Sequence, residues 1–468
     1  MRPFGGLPSS HYVNGYSANA IGRRRFRETR SGYSGAVSAV GAPPNAQTRR
    51  RPKDRKAQIA RASAQAFSAQ GYHAVSMETI AAKVGVSAAA LYRHYAGKYD
   101  LFRGAVLALS QQLVGCTDLA PDNEEDSADP AATLGRLLDA LIDATLDNRD
   151  SGGLYRWQAR YLRAEDQATL TGQLKQVNRR IQKPLRVVRP SLISSQRWML
   201  SAGALSVIGS IVDHRVRLPA DEIRALLRGS ASAILAAELP QPADVFPRPA
   251  SWRIFAEDAG VYEALLHASM VLFKDRGYSE TSMAHIASAA GIPVSGIYRY
   301  FSGKCEILAT GLRRAADRAS GQLSGVLGAL TEPRQALTLL IDAYVATSFA
   351  NPELAAVYYT ERVNLTPADQ MLLRNVQLST IDSWVRLLTA ARPSLKPTQA
   401  RFLVHAAMAL VVDLGRMRSD EDQSAYTQAC VRTLMEVTLF GSQAAAAPHP
   451  PPVPARRGSS SPSRAARR

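Results

Sequence analysis

An all-α chain built from two tandem, similar lobes is the fold that the sequence predicts, on three observations. Residues 67–102 and 273–308 align without a gap at an offset of 206, with 12 of 36 positions identical. Shorter matches recur at an offset of 203: Leu162–Gln167 with Leu365–Gln370, Arg189–Leu192 with Arg392–Leu395, and Gln196 with Gln399. Apolar residues follow the helical period and nothing reads as a strand. A three-residue deletion between about 310 and 350 reconciles the two offsets, so a unit of roughly 190 residues has been duplicated whole. Each copy is long enough to bury its own core.

The elements follow in order. Ile59, Ala62, Ala66 and Phe67 share one face of a first helix, and Leu265, Ala268, Leu272 and Phe273 repeat that face in copy two. Gly71 and Gly277 stop these helices. Ser76 and Ser282 stand as N-caps of a second helix, whose inner face in copy one is Met77, Ile80, Ala81 and Val84. Gly85 breaks it, Val86 fills the turn, and Ser87 caps a third helix expected to run through His94. Gly97-Lys98 marks the start of a fourth. Two short helices joined by a tight glycine turn form a helix-turn-helix.

The residue types suit contact with DNA. Ala88, Ala89 and Ala90 are small enough for close approach to base edges and thymine methyls. Tyr92, Arg93 and His94 offer hydrogen bonds to phosphates or bases. Lys98 lies at a helix N-terminus, where a cation and backbone N–H groups together favour a phosphate. In copy two the corresponding set is Ser282, Val294, Ser295, Gly296, Tyr298, Arg299, Tyr300 and Lys304. A helical hairpin with incidental polar residues is the competing explanation, and the repetition of the same polar positions weighs against it. Copy two departs from the pattern at Pro293, which replaces the capping Ser87 and is expected to be the first residue of its helix.

The strings S-M-E-T-I-A-A-K-V-G-V-S-A-A-A-L-Y-R-H-Y-A-G-K and S-M-A-H-I-A-S-A-A-G-I-P-V-S-G-I-Y-R-Y-F-S-G-K resemble the TetR-family DNA-binding domain. The likeness covers about 60 residues per copy. It implies a sequence-specific transcription regulator, usually a repressor that binds double-stranded DNA as a dimer and is released by a small ligand. Two units in one chain resemble the single-chain double-TetR repressors. The implied layout is a basic arm over 1–50, helix-turn-helix domains over 51–113 and 257–319, and helical ligand and dimerisation domains over 130–238 and 330–441. A linker at 239–256 and a Pro/Arg-rich tail at 442–468 complete it. By the same likeness an apolar effector pocket lies in the helical domains, where Tyr155, Trp157, Tyr161 and Met199 gather in the first and Tyr358, Tyr359, Phe402 and Met408 in the second. Ordinary core packing is the alternative for each of these eight.

Helices are expected near 131–147, 153–163, 166–188, 195–215 and 220–237, and again near 334–350, 353–364, 367–391, 398–418 and 424–440. Small residues on the later ones (Ala202, Gly203, Ala204; Ala406, Ala407, Ala409) suit close packing between lobes. A monomeric pseudo-dimer is therefore the expected state, with a homodimer as the alternative.

The net charge of +18 sits mostly at the ends. Residues 1–56 hold twelve Lys/Arg against two acids, and 444–468 hold five Arg and no acid, leaving +3 between them. The Arg23–Arg27 cluster and Arg49–Lys56 are expected to attract phosphates loosely, from disordered ends. The acidic run Asp122–Asp129 reads as a solvated linker. Cys116, Cys305 and Cys430 are scattered, against a disulfide frame or a zinc site. No secretory signal or membrane span is read, so a cytoplasmic, nucleoid-associated protein is expected. No cofactor, metal or catalytic residue is expected: the eight His lack catalytic or ligand spacing, and adjacent helical residues such as Asp213 and His214 diverge. Two other readings remain open: an architectural DNA-binding protein without an effector, and a ligand sensor with one decayed DNA-binding lobe.

Overall fold

Every regular element among the described residues is a helix; the computed structural model describes residues 55–119, 129–245, 253–256, 258–329, 332–416 and 425–441. The basic arm, the acidic run up to residue 128, most of the linker and the C-terminal tail lie outside them. Lobe 1 opens with α1 (Arg55–Gln70), α2 (Met77–Val84), α3 (Ala88–Tyr92) and α4 (Lys98–Cys116). It continues with α5 (Pro130–Asp147), α6 (Ala164–Val188), α7 (Ser194–Gly209) and α8 (Ala220–Ala236). Lobe 2 repeats the order as α9 (Val261–Asp275), α10 (Met283–Ala289), α11 (Val294–Ile297) and α12 (Lys304–Ala329). Its remaining helices are α13 (Pro333–Ala350), α14 (Pro352–Glu361), α15 (Pro367–Ala391), α16 (Pro397–Arg416) and α17 (Ala425–Phe440).

Local chemistry explains the helix starts. The Ser76 side chain accepts from the Thr79 amide, Ser282 from His285, and Asp129 from Ala132 at the head of α5. Thr366 does the same for Asp369 at the head of α15. Gly71 and Gly277 take φ of 81° and 87°, a left-handed turn that a side chain would strain. The duplication extends to buried hydroxyls: Ser63 donates to Ile59 O at 2.7 Å, and Ser269 to Leu265 O at 2.6 Å.

Two expected helices differ. In place of a helix over 153–163 there is a π turn, Leu154–Gln158, followed by a 3-10 turn, Ala159–Tyr161. This wider turn holds two consecutive inward residues, Arg156 and Trp157, which both bind Asp213. The helix expected over 195–215 ends its α form at Gly209 and closes with a 3-10 turn, Ser210–Val212.

Each helix-turn-helix has its own core, centred on Phe67, Ile80, Leu91 and Phe102 in lobe 1 and on Phe273, Ile286, Ile297 and Leu308 in lobe 2. The helical domains instead share one core. α7 and α8 pack against α16 and α17, so residues such as Val207, Ile234, Leu410 and Leu434 from the two lobes lie in a single cluster. Gly203 permits this: a Cβ there would stand 3.1 Å from Leu434 and 3.3 Å from Ile234. Such close approach requires small residues at the contact. Among the described residues no helix is long and apolar enough to cross a membrane.

Candidate nucleic-acid interface

Short third helices carry the surface that the sequence singles out. α3 starts at Ser87, whose side chain accepts from Ala90 N at 3.2 Å. It ends at Tyr92 rather than running through His94, because Asp100 accepts from Ala96 N and turns the chain into α4. Leu91 is the buried anchor of α3 and Ile297 that of α11. The opposite faces are open: Ala89, Tyr92, Arg93 and His94 are exposed, as are Val294, Ser295, Tyr298, Arg299 and Tyr300, while Ala88 and Gly296 are half-buried. Tyr92 and Tyr298 keep 53% and 57% of their surface in solvent, high for aromatics and therefore not core residues. Pro293 is the N-cap residue itself, with φ −62° and ψ 147°, not the first helical residue. The residue before a helix needs extended ψ, which proline accommodates, but no side-chain bond replaces that of Ser87.

Both lysines fold back in the same way. Lys98 Nζ donates to His73 O at 3.3 Å and lies 4.6 Å from the Tyr72 ring centre; Lys304 Nζ donates to Tyr278 O at 2.7 Å and lies 4.5 Å from the Tyr278 ring. Partial burial pushes each ammonium below the usual lysine range. One N–H of three is thus committed to the turn after the first helix, and the ammonium is held at the head of the fourth.

These domains are tied to the helices behind them. Asp166 of α6 accepts from the Tyr99 hydroxyl and from Arg103 Nε, both at 2.6 Å, and Asp369 of α15 pairs with Arg313. Hydrogen bonds from Tyr99 and Arg103 outweigh burial and hold the Asp166 carboxyl below its ordinary value. The segment 154–163 reaches further. Tyr161 stacks on Tyr72 of lobe 1 at 5.4 Å, while Arg160 donates to Phe273 O of lobe 2 at 3.1 Å and pairs with Glu361. One short segment therefore touches both helix-turn-helix domains.

The model of the family described as "Bacterial regulatory proteins, tetR family" matches residues 59–105 and 265–310, the stretches running from α1 into α4 and from α9 into α12. The chain is a TetR-family protein with two tandem units. It is 26% identical over 129 residues to the HTH-type transcriptional regulator HbdR of Aromatoleum sp. (strain CIB), covering 27% of this chain and 56% of that relative. It is 39% identical over 80 residues to the HTH-type transcriptional activator FasR of Mycolicibacterium smegmatis, covering 17% and 36%. The match thus spans little more than half of the first relative and about a third of the second. Nucleoid occlusion factor SlmA of Photorhabdus laumondii is 29% identical over 145 residues, covering 31% and 69%. Among solved structures, the ketosteroid transcriptional regulator KstR2 of Mycobacterium tuberculosis is 19% identical with a TM-score of 0.37, covering 40% of this chain and 98% of that one.

In the second TetR unit a cavity of about 250 Å³ lies between α12, α13, α14, α15 and α16, with Asp213 of the first unit on its wall. Of the eight residues suggested for an effector, Tyr358, Tyr359 and Met408 line it. The other five lie elsewhere. Trp157 stacks on Tyr359 at 4.2 Å and donates Nε1 to Asp213 at 2.6 Å, and Tyr161 packs on Tyr72. Met199 and Tyr155 belong to the shared core, and Phe402 packs edge-on against His214 at 4.9 Å. Each of these five is thus packed against other side chains of the protein rather than against the cavity.

Sequence reasoning missed the polar cluster at that seam. Arg156 Nη2 lies 2.9 Å from Asp213 and 2.8 Å from Asp413, one acid from each TetR unit. Burial opposes the charge on Arg156, yet the two carboxylates outweigh it and hold the guanidinium above its ordinary value. The Asp213 carboxyl is raised as well, because there burial prevails over the pull of Arg156 and the Trp157 hydrogen bond. The signal available was a break in the repeat, since at the 203 offset Arg156 stands opposite Tyr359 and Asp413 opposite Ser210.

Proposed function

We propose that this chain is a sequence-specific DNA-binding transcription regulator, a repressor released by a small apolar effector, whose two TetR units form a covalent pseudo-dimer and read unlike half-sites. The observation that carries this reading is the pair of exposed third-helix faces held within one folded unit. Two family-matched heads rest on helical domains that share a single core, which supports a fixed separation between two points of DNA contact. In such a dimer-like arrangement half-site spacing follows from the protein's own geometry.

Ala88, Ala89, Tyr92, Arg93 and His94 form one reading surface; Val294, Ser295, Gly296, Tyr298, Arg299 and Tyr300 form the other. Their differing chemistry favours different base contacts in the two major grooves. Ser76, Ser87 and Ser282 cap the helices and present hydroxyls beside them. Lys98 and Lys304, each steadied by a carbonyl and a tyrosine ring, are phosphate anchors that set register without reading sequence. The cavity of the second unit supplies room for the effector, in a protein that works in the cytoplasm at the nucleoid.

Selection of binding sites from random duplex DNA tests the reading. Two unlike half-sites at fixed spacing are expected; a strict inverted repeat with identical halves would overturn it. A second reading, DNA binding without effector control, is favoured by one finding: the SlmA relative carries the name of a nucleoid occlusion factor rather than of a gene regulator. Binding that is nearly sequence-blind and steeply salt-dependent would favour that alternative.

A further inference from the structure

The two lobes differ where the cavity forms. The 206 register that pairs the helix-turn-helix domains, carried on along α4 and α12, sets Leu109, Ser110 and Leu113 against Ala315, Ala316 and Ala319. The three lobe-1 residues are buried, and Ser110 Oγ donates to Gln173 Oε1 at 2.5 Å. Their three alanine counterparts line the cavity. At the 203 offset, Leu174 and Val177 stand against the cavity residues Gln377 and Thr380, and Ala202 against His405. Arg156, opposite Tyr359, is locked to two carboxylates. Lobe 1 thus fills with leucines and an ion pair the region that lobe 2 leaves open.

The polar groups on the cavity wall are unevenly committed. The Tyr358 hydroxyl is bound to Gln377 and that of Tyr344 to Ser348. Tyr359 and His405 make ring contacts, with Trp157 and His214, but no hydrogen bond among the described residues. Both residues are half-buried and line the cavity, so a ligand seated there meets a hydroxyl and an imidazole with no hydrogen-bond partner among the described residues. No Lys or Arg lines the cavity, whereas the Asp213 carboxylate does. Burial holds His405 neutral, with a pKa of about 4, so it offers a hydrogen bond and no positive charge at neutral pH. Asp213 is already paired with Arg156, so an anionic ligand would find no free cation on the wall to balance it.

We infer that the chain takes one ligand, in lobe 2 alone, and that this ligand is a neutral, mostly apolar molecule whose hydroxyl or carbonyl group hydrogen-bonds Tyr359 and His405. The inference rests on the effector reading above and narrows it to a site, a stoichiometry and a chemical class. Because Tyr359 stacks on Trp157, the occupied site bears directly on the 154–163 segment that touches both helix-turn-helix domains.

The test is a titration of the full chain with the neutral fluorophore N-phenyl-1-naphthylamine, displaced in turn by 1-decanol, 2-decanone and decanoate. The expected result is one probe per chain, and displacement at least about tenfold better by the alcohol or ketone than by the carboxylate. Ala319→Leu, which installs the lobe-1 residue, should weaken the probe by about tenfold or more. Tyr359→Phe should retain the probe and narrow the preference for alcohol; melting curves confirm that both variants fold. Two probes per chain, or indifference to Ala319→Leu, would overturn the single site. Decanoate displacing as well as 1-decanol would overturn the neutral class. DNA affinity is read separately by anisotropy: one occupied site with unchanged DNA binding would refute effector release while supporting the site.

Discussion

Replacing Arg156 by methionine should destabilise the fold by about 3–5 kcal/mol at pH 7.5, the range for removing one partner of a buried ion pair. The geometry places it there. The Arg156 side chain is 9% exposed and its two acids 6% and 7%, so solvent screening gives little relief. Without the guanidinium, Asp213 and Asp413 face each other across the seam between lobes. Trp157 and Ser206 still donate to them, which satisfies lone pairs but does not balance two charges. In equilibrium terms the loss is roughly two to three and a half powers of ten.

The pH dependence carries the sign. Burial already raises the folded-state carboxyl of Asp213 above its ordinary value, and loss of Arg156 removes the largest influence holding it down. A folded-state carboxyl that binds its proton more tightly than the unfolded chain does makes stability rise as pH falls. The deficit of Arg156→Met should therefore shrink from pH 7.5 toward the ordinary carboxylate range. The triple variant Arg156→Met/Asp213→Asn/Asp413→Asn, which keeps acceptors and removes both charges, should recover most of the loss at pH 7.5. Urea unfolding followed by far-UV circular dichroism measures all three proteins. A deficit under about 1 kcal/mol, or one that does not change with pH, would refute a charge-based role for this residue.

Three further expectations follow from single contacts. Gly209→Ala would drive a Cβ into Arg156 Nη1, so it should cost about 1–3 kcal/mol, and less in the Arg156→Met background; additive costs in a double-mutant cycle would contradict the contact. Ser87→Ala removes the cap bond to Ala90 N and should lower local stability by about 1 kcal/mol, read as faster amide exchange in α3, whereas Pro293→Ala has no cap bond to lose. Lys98→Met and Lys304→Met should each weaken DNA binding for all sequences alike and reduce the salt slope by about 0.9; an unchanged slope would show that the ammonium serves only the turn.

Much of the fold was legible because it rests on local rules repeated twice. Serine caps, glycine stops and helical periodicity depend on neighbours within one turn, so Ser76, Ser282, Gly71 and Gly277 stand where the sequence places them. The exposed Tyr92–His94 and Tyr298–Tyr300 edges were legible for the same reason, since Leu91 and Ile297 fix which face turns inward. Pro293 was misjudged by one position because helix-start propensity does not distinguish the cap residue from the first helical residue. The cavity was harder. Aromatic content pointed to Trp157 and Phe402, but the space comes from small side chains, Ala315, Ala316 and Ala319, which carry no signal alone and gain meaning beside Leu109, Ser110 and Leu113. Arg156 was invisible because its partners lie 57 and 257 positions away, and only the tertiary seam brings them together.

A footprint on the DNA selected by the wild-type chain tests the central claim most directly. Wild type would be compared with Tyr92→Ala/Arg93→Ala and with Tyr298→Ala/Arg299→Ala, all at one salt concentration. If both TetR units read DNA from one folded pseudo-dimer, each double variant erases protection over a different half of the site and leaves the other half weakened but in place. Protection that depends on the first pair alone would contradict the account, and would make the second unit a sensor that does not read DNA.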